Sequence, residues 1–254
     1  MLGAITVRNV SKIFSTEGTV ALEALREVSV EILPGQFVAF VGPSGCGKST
    51  LLKLIGGLLE PSSGRISVGA AEVTGPSRGI GVMFQTPVLF PWRTVLENVL
   101  LPIEVFGLER RAATEKARDI LRLVGLEGRE GAYPRELSGG MQQRAALSRV
   151  LVIDPSIILM DEPFGALDEF TRERMNLELL RIWQERGQTI IFVTHSISEA
   201  VFLADRVVVM DTAPGRVLAV VDVLLPRPRS IDLMKSPEFA AKAFEVREYL
   251  GVAR

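Results

Sequence analysis

The sequence predicts an α/β fold in which strands come first, a helical segment interrupts them, and strands return. Three observations carry this reading. "FVAFV" (37–41) is apolar throughout, as a strand covered on both faces should be, and it runs into the glycine loop "GPSGCGKST" (42–50) and then a helix. From about 86 to 153 the apolar spacing becomes helical. Two further apolar runs, "IILM" (157–160) and "TIIFV" (189–193), then read as strands separated by a helix.

The elements follow in order. Ile5, Val7 and Val10, and later Val28, Val30 and Ile32, alternate with polar residues, which predicts half-buried antiparallel strands. Pro34-Gly35 turns the chain into 37–41, and the helix after the glycine loop runs from about Lys48 to Gly56. A turn at 61–64 precedes short strands near 65–68 and 80–84. Thr94-Val95-Leu96-Glu97 is a capping box that starts a helix. Residues 110–124 present Ile120, Leu121 and Val124 on one face, and a further helix runs from about Gly140 to Val152 before Asp154-Pro155. A helix over 169–186, a second capping box at Ser196-Ile197-Ser198-Glu199, strands at 206–210 and 216–221, a Pro-Arg-Pro-Arg linker at 226–229 and a closing helix at 236–250 complete the chain. The expected division is a catalytic core of 1–85 and 156–225, a helical subdomain of 86–155 and a C-terminal helical tail of 226–254 within one domain.

Composition excludes several classes. Lys+Arg (29) and Asp+Glu (30) nearly cancel, so no net charge draws nucleic acid or anionic lipid. The start of the chain lacks the basic and long apolar regions of a signal peptide. No apolar run reaches the roughly 18 residues a spanning helix needs. The one cysteine, Cys46, excludes an internal disulfide and a multi-cysteine metal site. The expectation is a cytoplasmic chain that reaches a membrane only through a partner.

The chemistry is concentrated in a few short stretches. Gly42-Pro43-Ser44-Gly45-Cys46-Gly47-Lys48-Ser49 fits G-x-x-x-x-G-K-[ST], between a buried strand and a helix, the context in which that motif holds phosphates. Its backbone N–H groups and the helix N-terminus favour anions, Lys48 suits the β- and γ-phosphates, and the Ser49 hydroxyl suits Mg²⁺. "IILMDEP" (157–163) puts Asp161 and Glu162 at the C-terminal end of an apolar strand, where ligands of open α/β sheets bind. Asp161 suits the Mg²⁺ shell and Glu162 the polarisation of a water. His195, the only histidine, ends another strand and is a candidate partner for the γ-phosphate, or else a structural residue. Gln85 ends the strand "IGVMF" and could reach Mg²⁺ or the water; alone it reads as a turn residue. In "LSGGMQQR" (137–144), Ser138 is a plausible N-cap and the glycines leave amides bare, yet no lysine is present.

This ordered set, with "ALD" (166–168), resembles the nucleotide-binding subunit of ATP-binding-cassette transporters over about residues 5–225. The resemblance implies a P-loop NTPase (RecA-like) core with an N-terminal antiparallel β subdomain and an inserted α-helical subdomain. It implies that the phosphate loop from Gly42 to Thr50 binds ATP, that Ser49, Gln85 and Asp161 serve Mg²⁺, that Glu162 is the general base and His195 the switch histidine. In a head-to-tail dimer of two copies, Ser138, Gly139 and Gly140 would contact the ATP of the other subunit, with Asp168 in the loop crossing the interface. Phe14 takes the place of the usual adenine-stacking tyrosine; the competing reading is a core residue. Met141 stands where glutamine is usual and Gly165 where serine often precedes Ala-Leu-Asp, neither being a phosphate contact.

The stretch 83–108 carries Phe84, Phe90, Trp92, Phe106 and three prolines, which suits a docking surface; packing inside the protein is the competing reading. In the family this region receives the membrane subunit. "LFPWRTVLENVLLP" resembles the nitrate, sulfonate and taurine importer group, with two permease subunits, an indirectly associated solute-binding protein and attachment at the cytoplasmic face of the membrane. A soluble cassette ATPase and a non-hydrolysing module are the alternatives. Nothing in the chain points to nucleic acid or identifies the solute.

Overall fold

The structure, a computed structural model, describes residues 3–15, 21–212 and 214–251. Met1, Leu2 and residues 252–254, parts of the N-terminal start and the tail discussed above, lie outside them. In chain order the elements are β1 (Ile5–Phe14), β2 (Leu22–Ile32), β3 (Phe37–Val41), α1 (Lys48–Ile55), β4 (Ser63–Val68), β5 (Ala71–Glu72), β6 (Ile80–Met83), α2 (Val95–Val99), α3 (Leu101–Val105), α4 (Arg110–Leu123), α5 (Gly139–Leu151), β7 (Ile157–Asp161), α6 (Glu169–Arg186), β8 (Thr189–Val193), α7 (Ile197–Leu203), β9 (Arg206–Asp211), β10 (Arg216–Asp222) and α8 (Pro237–Tyr249). The chain divides into two compact units, Met1–Ser77 with Leu179–Arg254, and Arg78–Glu178.

In the first unit, β1 and β2 are the alternating strands of the sequence. They pair antiparallel with Ile5 opposite Ile32 and Val7 opposite Val30, so that the apolar alternates share one buried face. β4 and β5 extend this sheet in the order β2-β1-β4-β5. β3 has every residue buried, and it lies parallel to both β8 and β9, which explains why its run shows no alternation. β10 closes the edge antiparallel to β9. Trp183 meets Phe37 edge-on at 5.8 Å and donates its indole N–H to the Gly35 carbonyl at 3.1 Å.

The Pro-Arg-Pro-Arg segment is not a free linker. Arg229 is buried, and its guanidinium donates to the carbonyls of Val201, Phe202 and Ala204 at 2.8–3.1 Å, and to that of Val223 at 3.3 Å. It thereby satisfies the carbonyls at the end of α7, which lacks a glycine cap. Arg227 lies over the Trp183 ring at 4.2 Å and pairs with Asp205, whose other carboxylate oxygen accepts the Phe37 amide. Burial, reinforced by the neighbouring Arg227 charge, pushes the Arg229 pKa down to about 10. Polar composition suggested a linker; the long side chains instead tie down the end of α7 and the Ala204-Asp205 connection after it.

In the second unit, β6 and β7 form a parallel pair with Ile80 opposite Ile157 and Met83 opposite Met160. This pair places both strands with the helices, so the unit extends on each side of the 86–155 segment. Gly81 is required there: a Cβ would come within 2.6 Å of Val150 and 3.0 Å of Pro155. The Thr94 capping box forms in full: Thr94 Oγ1 accepts the Glu97 amide and Glu97 accepts the Thr94 amide. On α4 the residues Ala113, Ala117, Ile120 and Leu121 are buried along one stripe.

Candidate nucleotide site

In the first unit, β3 delivers the chain into the phosphate loop. Gly45 and Gly47 take left-handed backbone angles (φ 81° and 87°), so the loop folds back over the start of α1. The space around it is reserved for bare backbone. A Cβ on Gly42 would stand 2.5 Å from the Met210 carbonyl and 2.7 Å from Cys46 Sγ, and one on Gly47 would stand 2.5 Å from Leu25. α1 has no side-chain cap and no acid in its first turn, which leaves its first amides and its positive dipole end for an anion. Pro43, Ser44 and Gly45 are exposed, Ser49 and Thr50 half-buried, and Cys46 is fully buried.

Lys48 is buried, and its ammonium donates to the carbonyls of Gly42 (2.8 Å) and Pro43 (3.0 Å) and contacts Cys46 Sγ at 3.5 Å. A buried ammonium held by loop carbonyls within a cradle of amides suits a polyphosphate, which brings the negative charge these groups lack. Phe14, at the end of β1, is exposed rather than in the core, with the Lys12 ammonium 5.2 Å above its ring.

His195 is exposed on the connection from β8 to α7. The capping box expected beside it forms only by half. Ser196 Oγ accepts the Glu199 amide at 3.3 Å, but the Glu199 carboxylate does not return to Ser196. It accepts instead from buried Thr194 Oγ1 at 2.5 Å, and that hydroxyl accepts the Ser196 amide at 3.0 Å. Thr194, immediately after β8, takes the place of the usual partner. The turn that carries His195 is thus fixed on both sides by one relay.

In the second unit, β7 ends at Asp161, half-buried like Glu162 after it. Glu162 has φ 44°, a left-handed angle that a non-glycine residue holds at a cost of about 1–3 kcal/mol, and such outliers cluster at functional sites. Its carbonyl accepts the Gly165 amide at 3.1 Å. A Cβ at Gly165 would make only ordinary contact with Glu162, at 3.5 Å or more, so a serine would also fit at this position.

Ser138 caps α5 as predicted, its hydroxyl accepting the Met141 amide at 3.3 Å, while Ser138 and Gly139 remain exposed. Gly140 is buried; a Cβ there would lie 3.0 Å from Thr171 Cγ2 and 3.6 Å from Leu167. The fold therefore sets the "SGG" turn against the "ALD" loop. Asp168 accepts the Thr171 amide at 2.9 Å, and bonding from the Thr171 hydroxyl first, then from that amide, holds its carboxyl below the usual aspartate range.

Gln85 is exposed after β6, and its carbonyl accepts the amide of buried Gln143 at 2.8 Å. Arg149 donates to the next carbonyls along the loop, Pro87 (2.9 Å) and Val88 (2.8 Å). Buried Asn98 completes the set, accepting the Phe90 amide and donating to the carbonyls of Phe90, Arg93 and Thr94. Gln143, Arg149 and Asn98 were not singled out from the sequence. The signal for Asn98 was present, as a polar residue in the apolar run "VLENVLLP". Within 83–108, Trp92 and Val105 are each 70% exposed, and Trp92 stacks on Phe90 at 5.0 Å. Among the described residues no helix is long and apolar enough to cross a membrane.

A family profile described as ABC transporter matches residues 25–165. An uncharacterized ABC transporter ATP-binding protein of Methanocaldococcus jannaschii is 46% identical over 95% of this chain and 90% of its own length. The aliphatic sulfonates import ATP-binding protein SsuB of Bacillus cereus is 42% identical over 98% of this chain and 97% of its own. Among solved structures, a dimeric ATP-binding cassette in a post-hydrolysis state with ADP and Pi superposes with a TM-score of 0.77 at 33% identity, covering 87% of this chain and all of that one. The phosphate loop, the strand-end carboxylates and these similarities agree on a P-loop NTPase fold: the chain belongs to the ABC transporter family and is an ABC-type ATPase.

Proposed function

We propose that the chain powers import of a small solute through two separate membrane permease subunits, working as a head-to-tail dimer at the cytoplasmic face of the membrane. A sulfonate or similar small anion is the solute class that the similarity to the sulfonate importer subunit favours. ATP sits on Lys48 and the amides of Gly42–Thr50, with Phe14 against adenine. Ser49, Gln85 and Asp161 would hold Mg²⁺, which would offset negative charge on the phosphates. Glu162 accepts a proton from the attacking water, and His195 and Gln85 orient it.

The observation that carries the dimer reading is the bare start of α5. Ser138 and Gly139 are exposed around a capped helix end with no lysine, which suits a γ-phosphate already held elsewhere. ATP gripped from both sides shifts the equilibrium to the closed dimer, and hydrolysis removes the group that is gripped. The exposed Trp92, Val88, Val105 and Leu108 support docking of the permeases over 83–108 and disfavour the soluble-ATPase alternative. A solute-binding protein acts through the permeases.

Mixing subunits tests the composite site. A Ser138→Arg chain combined with a Lys48→Ala chain should retain one intact site and bind ATP there. Mixed dimers that form yet bind no ATP at that site refute the reading in trans.

A further inference from the structure

The "LSGGMQQR" stretch contains a residue for which the phosphate reading has no use. Arg144 lines a cavity of about 230 Å³ in the second unit, where the end of α4 meets α5 and the first half of α6. Arg122, Val124, Thr171, Arg174 and Glu178 complete the part of the lining that matters here. We propose that this cavity binds a small oxyanion, a phosphate or a carboxylate, between the guanidinium groups of Arg144 and Arg174.

The guanidinium of Arg144 is fixed but incompletely satisfied. One terminal nitrogen donates to the Val124 carbonyl at 3.2 Å, and it lies so close to Gly125 that a Cβ there would stand 3.1 Å away. Its Nε is buried and has no hydrogen-bond partner. A buried donor without an acceptor is a net cost to the fold, and the cost is larger on a charged group. Burial is the main cause that lowers the proton affinity of Arg144, and the Arg174 charge adds to it. Glu178 opposes this to a smaller extent. The side chain stays charged, because arginine does not deprotonate in proteins, so the strain remains as electrostatic repulsion.

The charges show what would relieve it. Arg122, at the mouth, is already engaged by Asp119 and Glu127. The lining itself carries Arg122, Arg144 and Arg174 against the Glu178 carboxylate, more positive than negative charge in a partly desolvated space. An oxyanion is the species that accepts from guanidinium nitrogens in paired, planar geometry, and it does so at close to full strength away from bulk water. The volume admits one with a few waters, each of which takes about 30 Å³ in the liquid. Thr171 lines the cavity and ties it to the turn above it. Its amide binds Asp168, and its methyl borders Gly140. The occupant therefore sits one residue's breadth from the two loops assigned to the dimer interface.

The test uses the full chain carrying Lys48→Ala, which weakens the pull of the phosphate loop. Inorganic phosphate and, separately, acetate are titrated at constant ionic strength set by chloride, with binding read by calorimetry and thermal midpoint. At least one should bind and raise the midpoint above the chloride control. Arg174→Ala, an exposed residue whose loss leaves packing intact, should weaken that binding tenfold or more; Arg144→Met should do the same. Phosphate alone defines a tetrahedral site, acetate a carboxylate site, and both support the proposal. Binding of neither, or binding unchanged in Arg174→Ala, overturns it. Arg144 and Arg174 lie outside the phosphate loop, so failure here leaves the transport reading untouched.

Discussion

In a Gln143→Leu chain one hydrogen bond disappears, the one that ties α5 to the Gln85 carbonyl at 2.8 Å. Such a bond contributes about 1 kcal/mol net to stability. Gln143 also carries a buried carbonyl oxygen with no partner. Leaving an acceptor in that state costs about 1–3 kcal/mol, and leucine removes it. Gln85 is exposed, so its carbonyl regains water. The two changes offset, and the unfolding midpoint should move by less than about 4 °C, the shift that 1 kcal/mol produces in a chain of this size. Catalysis should respond differently. If Gln85 orients Mg²⁺ and water, loosening its main chain by about 1 kcal/mol in the transition state slows turnover roughly fivefold. Phosphate release at saturating ATP and the thermal midpoint, measured on the same preparation, separate the two effects. Unchanged turnover accompanied by a midpoint drop of many degrees would show that Gln143 only packs, and would refute the argument.

Two further outcomes follow from the geometry. Glu162→Gln should trap an ATP-bound dimer visible by size-exclusion chromatography, and His195→Ala should slow turnover; wild-type ATPase rates in both variants would remove the assigned roles. Arg229→Met should destabilise the chain by about 3 kcal/mol, because four carbonyls lose their donor at once. That is roughly 6–12 °C by calorimetry, and a shift under about 2 °C would show that water replaces the guanidinium without penalty.

The parts of the fold legible in the sequence were those specified locally. β3, the phosphate loop and α1 follow from one continuous stretch, and the Thr94 box from four residues. The second box misled because its glutamate had a competing partner, Thr194, that lies outside the motif but beside it in space. Arg229 misled because composition reports the polarity of a side chain and not its destination. Gln143 and Arg149 were invisible for a related reason: they reach backbone carbonyls about sixty positions away, and a backbone carbonyl carries no residue identity for a pattern to match. The local motifs therefore marked the candidate phosphate and carboxylate positions, while the bonds that hold those positions in place came only with the fold.

Asn98 has a consequence for whatever meets Trp92. Ordering a rotamer-rich side chain on association costs about 0.5–1.5 kcal/mol, and ordering loop backbone adds to it. Here one buried amide pins the backbone on both sides of the Phe90–Trp92 stack, and the stack restricts the rings. Folding has already spent that entropy. A partner meeting this loop encounters a shaped solid surface, so complementarity of shape, rather than any ordering of the loop, decides how tightly it is held.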